Sequence, residues 1–455
     1  MMLAVTLIAG TPALAVTPQE ALDQAIRIRF PALLVEHPDA PSLSLEWLDA
    51  NWQDEFVSMA LEIVRFIPQR STGQALLAMV ARKTGAKESG SDWSAWMRWQ
   101  WNRPAPPPSF AAFKASLYAN LDPRFEKYFS PQFPALIRLD EIIWGGVLQD
   151  GIPPLRRPKM LAARDAGYLA DTDVIFGIEI NGDPRAYPKR ILAWHEMFVD
   201  RVGNVDVAGV YCTLCGAVVV YETVVDGRAH ELGTSGFLYR SNKLMYDAAT
   251  QSLWNTLEGR PVVGLLAGKD ISLPTREVVT TTWGDWRRRH PRTTVLSLDT
   301  GHRRDYDEGE AYRHYFATDA LMFPVPGDDA RLRNKQEVLI PRFGKRGERP
   351  LAISSEFLRK TPAWHGRYGG RDFVVLTDRS GAHRIYALTD AQRVRRWDGD
   401  ATVTDGSGVV WALTETALVS GDMQLPRLSS HNAFWFGWRA AHPDTELVAG
   451  EETRR

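Results

Sequence analysis

The stretch V-Y-C-T-L-C-G-A-V-V-V-Y, Val210–Tyr221, holds both cysteines of a 455-residue chain and aligns without gaps on V-L-T-D-R-S-G-A-H-R-I-Y, Val375–Tyr386. β-Branched and aromatic residues on either side of a short turn predict two strands, and the turn glycine accepts a left-handed backbone. A second match lies downstream of each copy. L-P-T-R-E-V-V-T-T-T-W-G-D-W-R-R-R-H-P-R-T from Leu273 aligns on L-P-R-L-S-S-H-N-A-F-W-F-G-W-R-A-A-H-P-D-T from Leu425, setting Trp283, Trp286, His290 and Pro291 on Trp435, Trp438, His442 and Pro443. Self-similarity over this length predicts one β-rich unit used twice, each copy closed by a short W-x-x-W-R-x-x-H-P helix.

The comparison separates scaffold from chemistry. Cys212 falls on Thr377, Cys215 on Ser380 and His195 near Thr361, while His290 and His442 occur in both copies and read as capping or packing residues. The second copy is shorter between Tyr386 and Gly406. What it lacks is most of S-G-F-L-Y-R-S-N-K-L-M-Y-D-A-A-T, Ser235–Thr250. Thiols and segment are absent together, which predicts that they form one site in the first copy.

Working outward, the chain reads as α+β: an N-terminal helical, repeat-like module followed by two duplicated, mainly antiparallel β-rich units. Residues 16–102 form the helical module. Trp52, Phe56, Met59, Ala60, Ile63 and Val64 recur at helical spacing until Pro68, and Ser71 or Thr72 is positioned to cap a helix with Leu76, Leu77 and Val80 on its apolar face and Gly85 as its stop. Trp93–Trp101 reads as an aromatic helix. R-P-A-P-P-P-S, Arg103–Ser109, opens a Pro-rich linker and transition over 103–150. The first β-rich unit spans 151–334 and the second 335–455.

A start of M-M-L-A-V-T-L-I-A-G-T-P-A-L-A, residues 1–15, ends in the small-x-small pattern of a signal peptidase site and is too short to span a bilayer. It predicts a periplasmic or secreted protein without a transmembrane span. The 54 basic residues against 55 acidic ones leave no cationic surface for nucleic acid, and 44% hydrophobic residues are enough for sizeable cores. In an oxidising compartment a vicinal cysteine pair is oxidised unless something holds the thiolates, and a metal is the usual holder.

At these residues the sequence resembles the bacterial and archaeal family called domain of unknown function 3179. The likeness runs through D-G-I-P-P-L (Asp150–Leu155), R-A-Y-P (Arg185–Pro188), W-H-E (Trp194–Glu196), Y-C-T-L-C-G, S-G-F-L-Y-R-S-N-K-L-M-Y-D, S-L-W (Ser252–Trp254), T-G-H-R-R-D-Y (Thr300–Tyr306) and F-P-V (Phe323–Val325). Thr213 stands where the family usually has proline, and Asn255 and Thr256 stand where it has glutamine. The resemblance implies no activity, so the chemistry is read from the residues.

Cys-x-x-Cys-Gly between strands resembles a zinc or rubredoxin knuckle, whereas a thioredoxin-type pair opens a helix for which Ala217–Tyr221 is too β-branched. The leading expectation is a thiophilic metal, copper before zinc or iron, on Cys212 and Cys215 with His195 and Met245, a soft ligand set. Ser235, Tyr239, Arg240, Asn242 and Asp247, with Arg185, are the candidate substrate-binding groups, and Cys212, Cys215 and His195 the candidate catalytic ones. Two alternatives stand beside it: a metal-free thiol–disulfide oxidoreductase, and a ligand-binding protein with a structural disulfide. Expected partners are a small molecule or a metal-delivery protein, with a further protein docking on the helical module.

Overall fold

The computed structural model describes residues 16–450 apart from 38, 89, 346, 390 and 391; the expected signal peptide lies outside the described residues. The chain divides into two compact units between Leu117 and Tyr118. The first is helical, with its main helices at Pro18–Gln24, Ala40–Ala50, Phe56–Ile63, Arg70–Thr84 and Trp93–Trp101. Its core is built from the expected faces: Phe56, Met59, Ala60, Ile63, Leu76 and Val80 are fully buried. Gly85 ends the fourth of these helices at φ 70°, as its position predicts. The start of that helix differs. Gln69 is its N-cap without a side-chain cap bond, and the Thr72 hydroxyl donates to the Gln69 carboxamide at 3.2 Å, so neither Ser71 nor Thr72 serves as the cap.

The second unit is mixed α and β, with mainly antiparallel sheets. One sheet orders Thr275–Arg276, Ala217–Glu222, Val205–Cys212, Met197–Val202 and Leu155–Arg156. A second orders Val279–Thr282, Val174–Ile180, Asp183–Pro188, Thr294–Leu296 and Met160–Ala162, with the third and fourth of these strands parallel. A third carries the hairpin Leu232–Tyr239 and Asn242–Asp247 between Ile142–Trp144 and Leu253–Asn255. Toward the C-terminus a four-stranded sheet orders Ser430–Phe434, Glu337–Pro341, Leu351–Ser354 and Glu446–Val448, the last pair parallel. An eight-stranded sheet begins Ala363–Tyr368, Arg371–Thr377, His383–Leu388 and Met423–Leu428. Among the described residues no helix is long and apolar enough to cross a membrane.

Tryptophans set the spacing of the first half. Trp283–Arg289 is helical, and the buried Trp286 ring packs onto Val174–Ile180 where the strand has no side chain: a Cβ on Gly177 would lie 2.5 Å from it. The ring is held in place, because its Nε1 donates to Thr293 Oγ1 at 2.8 Å and the His290 ring packs against it, tilted, at 4.0 Å. Overpacking of a fixed ring costs about 1–3 kcal/mol, so Gly177→Ala is expected to lower stability by that amount in urea unfolding. Gly167→Ala, where an added Cβ meets nothing within 4 Å, is the near-neutral control.

Candidate functional site

Val205–Cys212 and Ala217–Glu222 pair antiparallel, with Cys212 opposite Ala217 at the end of the ladder. The turn closes as the Cys215 N–H donates to the Cys212 carbonyl at 3.1 Å. Gly216 follows at φ 59°, and a Cβ there would come within 2.8 Å of the Phe434 ring, so the turn needs glycine for both conformation and space. Strand alternation sends Tyr211 and Cys212 to opposite faces. Tyr211 packs on Phe176 at 4.9 Å between ring centroids; both cysteines join Leu214, Leu238, Tyr315, Trp435 and Trp438 in a separate core. Both thiols are free and buried.

The turn of the segment Ser235–Thr250 lies against the thiols. Leu232–Tyr239 turns into Asn242–Asp247 through Arg240 and Ser241, both at positive φ (49° and 62°), as a two-residue turn between antiparallel strands requires. That turn aims the Ser241 carbonyl at the sulfurs, 3.1 Å from Cys215 Sγ and 3.9 Å from Cys212 Sγ. The next strand residue but one supplies more. The Lys243 N–H donates to the Cys212 sulfur, and the Lys243 ammonium forms a buried ion pair with Glu196. Glu196 sits at φ 55° just past the helix Lys189–His195, and the Tyr312 hydroxyl donates to its Oε1 at 3.1 Å.

This setting makes the two thiols unequal. Burial pushes the Cys212 thiol up, but hydrogen bonds from the Cys215 thiol and from the Lys243 and Cys215 N–H groups outweigh it, and the net direction is down. Cys215 is driven well above the usual thiol range by burial and by the charge on Cys212. Tyr312 is raised by the Glu196 carboxylate and by burial, and Tyr315 by burial, so both stay protonated donors at neutral pH. Beside this network lies a small, largely apolar cavity of about 60 Å³, lined by Leu214, Phe237, Leu238, Tyr312 and Phe323 with Glu196 and Lys243 as its charged pair.

His195 is placed away from the sulfurs. Its Nδ1 lies 2.9 Å from the Pro153 carbonyl and its Nε2 2.5 Å from the Tyr306 hydroxyl, so both ring nitrogens are occupied. Its sequence neighbour Glu196 takes the place near the thiols, because the left-handed residue after the helix turns the chain. Met245 is fully buried in another core with Met197, Val210 and Trp254. Among the described residues no three His, Cys, Asp or Glu side chains are grouped to hold a metal ion.

The candidate substrate groups are engaged within the fold. Arg240 pairs with Glu141 and donates to the Ala440 carbonyl at 3.0 Å, while Tyr239 stacks under its guanidinium at 5.1 Å. Ser235 Oγ donates to the Leu244 carbonyl at 2.6 Å at a bulge in its strand. Asn242 Nδ2 donates to the Gly437 carbonyl at 2.9 Å. Asp247 accepts from Thr250 and pairs with His230, and Arg185 bridges Asp183 and Asp200. None of these six lines the apolar cavity.

The family model described as "Protein of unknown function (DUF3179)" matches residues 149–445, and the chain belongs to that family. No curated protein and no solved structure matches it.

Two outcomes follow from this geometry. Glu196→Gln leaves the Lys243 ammonium buried without its counter-charge and is expected to cost about 3 kcal/mol in denaturant unfolding, an effect that Lys243→Met in the same chain relieves. Because the Glu196 charge raises the Cys212 thiol, the same change moves the thiolate absorbance transition to lower pH. His195 is held neutral by burial, with its acidity shifted down to about 4 from 6.5. Between those values the unfolded ring binds a proton that the folded one refuses, so stability falls as pH drops through that window, by up to about 1.4 kcal/mol per pH unit. In unfolding measured across that pH range, His195→Gln is expected to flatten the slope by that amount.

Proposed function

We propose that in this member of the DUF3179 family Cys212 and Cys215 work as an extracytoplasmic dithiol–disulfide couple, with Cys212 as attacking sulfur and Cys215 as resolving sulfur. The observation that supports it is the inequality of the two thiols: Cys212 is the acidic one, held by backbone N–H groups, and Cys215 is the protonated neighbour within hydrogen-bond reach of it. The Cys212 thiolate attacks one sulfur of a small disulfide, and the first thiolate leaves and takes the Cys215 proton. Cys215 then attacks Cys212, forming the internal disulfide and expelling the second thiolate. Two electrons pass from the protein to the substrate. Buried sulfurs beside an apolar cavity favour a small, weakly polar substrate over a protein disulfide.

We also read the two β-rich halves as copies of one unit, which supports locating the chemistry in the first. Two sheets of each half pair four strands in the same order, with the third and fourth parallel in one of them. At the counterpart turn of the second half Ser380 Oγ donates to Asp378 at 2.6 Å and Arg384 pairs with Asp378, an arrangement that needs no thiol.

The competing reading is a thiophilic metal, copper before zinc or iron, on the same two sulfurs. It has the knuckle-like turn in its favour, and its further ligands would come from groups other than His195 and Met245.

Mass-resolved titration in thiol–disulfide buffers, run together with metal analysis of protein from an oxidising compartment, separates the two. The expected result is one two-electron transition at a potential between about −100 and −350 mV, abolished by Cys212→Ser or Cys215→Ser and kept in His195→Gln and Met245→Leu. Absence of any such transition, or stoichiometric metal that is lost in the cysteine variants, overturns the redox reading.

A further inference from the structure

On the face of the cysteine hairpin opposite the apolar cavity lies a second, polar groove of about 160 Å³. It is lined from both β-rich halves: Tyr211, Lys189 and Thr280 from the first, Glu337, Arg359 and Asn432 from the second. At its floor the Tyr211 hydroxyl is buried, with the residue only 1% exposed, and has no hydrogen-bond partner among the described residues. A buried hydroxyl left unpaired is costly, and a well-packed native site that keeps one needs a reason.

The surroundings supply that reason. Burial and the neighbouring Cys212 and Glu337 hold the phenol well above its ordinary range, so it is a permanent donor that requires an acceptor. The Lys189 ammonium lies over the Phe316 ring at 4.9 Å and forms no ion pair among the described residues. Arg359 faces Glu337 at 3.4 Å, with both side chains about half exposed (50% and 45%), so its guanidinium keeps donors free toward the groove. The Asn432 carboxamide and the Thr280 hydroxyl are hydrogen-bonded to no other described residue. Two cations against one carboxylate, two uncommitted neutral polar groups and a buried phenol O–H form a set that matches an oxyanion bearing further hydroxyls.

We propose that this groove binds a small hydroxyl-bearing oxyanion, a carboxylate or a phosphate, with its charged end between Lys189 and Arg359 and an oxygen accepting from Tyr211. The groove is lined by residues other than the two cysteines, and its failure would leave the dithiol reading untouched.

Calorimetric titration of the full chain with gluconate, inorganic phosphate and, as an uncharged control, sorbitol tests it. The expected result is binding of gluconate or phosphate with a Kd of about 1 mM or tighter and none of sorbitol. Phosphate alone would assign the charge to an inorganic or phosphoryl group; gluconate would assign it to a carboxylate. The variant K189Q/R359Q is expected to weaken binding about tenfold or more, and Tyr211→Phe about fivefold. Because that hydroxyl has no internal partner, Tyr211→Phe should unfold at an equal or higher denaturant midpoint, which separates lost recognition from lost folding. No anion binding by about 10 mM, or binding unchanged in both variants, overturns the proposal.

Discussion

The thiol site depends on one buried ion pair, Lys243 with Glu196. Taking an ammonium and a carboxylate out of water costs several kcal/mol each, and only close mutual contact with added hydrogen bonds offsets it. Tyr312 provides the added bond to Glu196, and its hydroxyl is kept protonated by the charge it serves. The pair joins two elements that are distant in sequence, the end of the helix Lys189–His195 and the strand Asn242–Asp247. The Lys243 backbone is placed by its strand, opposite Leu238 in the antiparallel ladder, and its N–H reaches the Cys212 sulfur. The Cys212 thiol is thus made more acidic by a strand backbone that the ladder with Leu232–Tyr239 holds in register, while the Glu196 charge acts against it.

This division of labour explains what could be read from the sequence. The strands on either side of the cysteine turn and the glycine at Gly216 follow from residue type. Lys243 carries no motif signal of its own: its N–H can donate to Cys212 whatever the side chain, and its ammonium meets Glu196 only once the fold brings the two elements together. His195 and Glu196 were both in view as residues of W-H-E, and one left-handed residue decided between them. At φ 55° Glu196 ends the helix, and the imidazole faces Pro153 and Tyr306 while the carboxylate faces the thiols.

The helical unit was legible for a different reason. Its helices carry apolar residues at spacings of three and four, and burial follows that pattern directly. What failed was local: the helix at Arg70–Thr84 starts before the Ser71 and Thr72 hydroxyls, since a free hydroxyl specifies a cap only where the backbone leaves the helix at that residue. Arg240, Asn242 and Arg185 illustrate the same difficulty on the polar side. Charged and amide groups in a motif look like ligand contacts, yet in a chain with much buried backbone they are recruited to neutralise Glu141 and Asp200 and to satisfy the Gly437 carbonyl.

Alternation along one strand finally places two environments within a residue of each other. Cys212 faces the apolar core beside the Glu196–Lys243 cavity, and Tyr211 faces the polar groove shared by the two halves. Tyr211 also lies in the field of Cys212, whose negative charge raises the phenol further. Conversion of that thiolate to a neutral disulfide removes a charge close to the groove floor, and an oxyanion in the groove would feel its loss as reduced repulsion. If the pair works as the proposed dithiol couple and the groove holds the proposed anion, the sign of their electrostatic coupling is fixed: oxidation of the pair favours the anion, and the bound anion favours the oxidised pair.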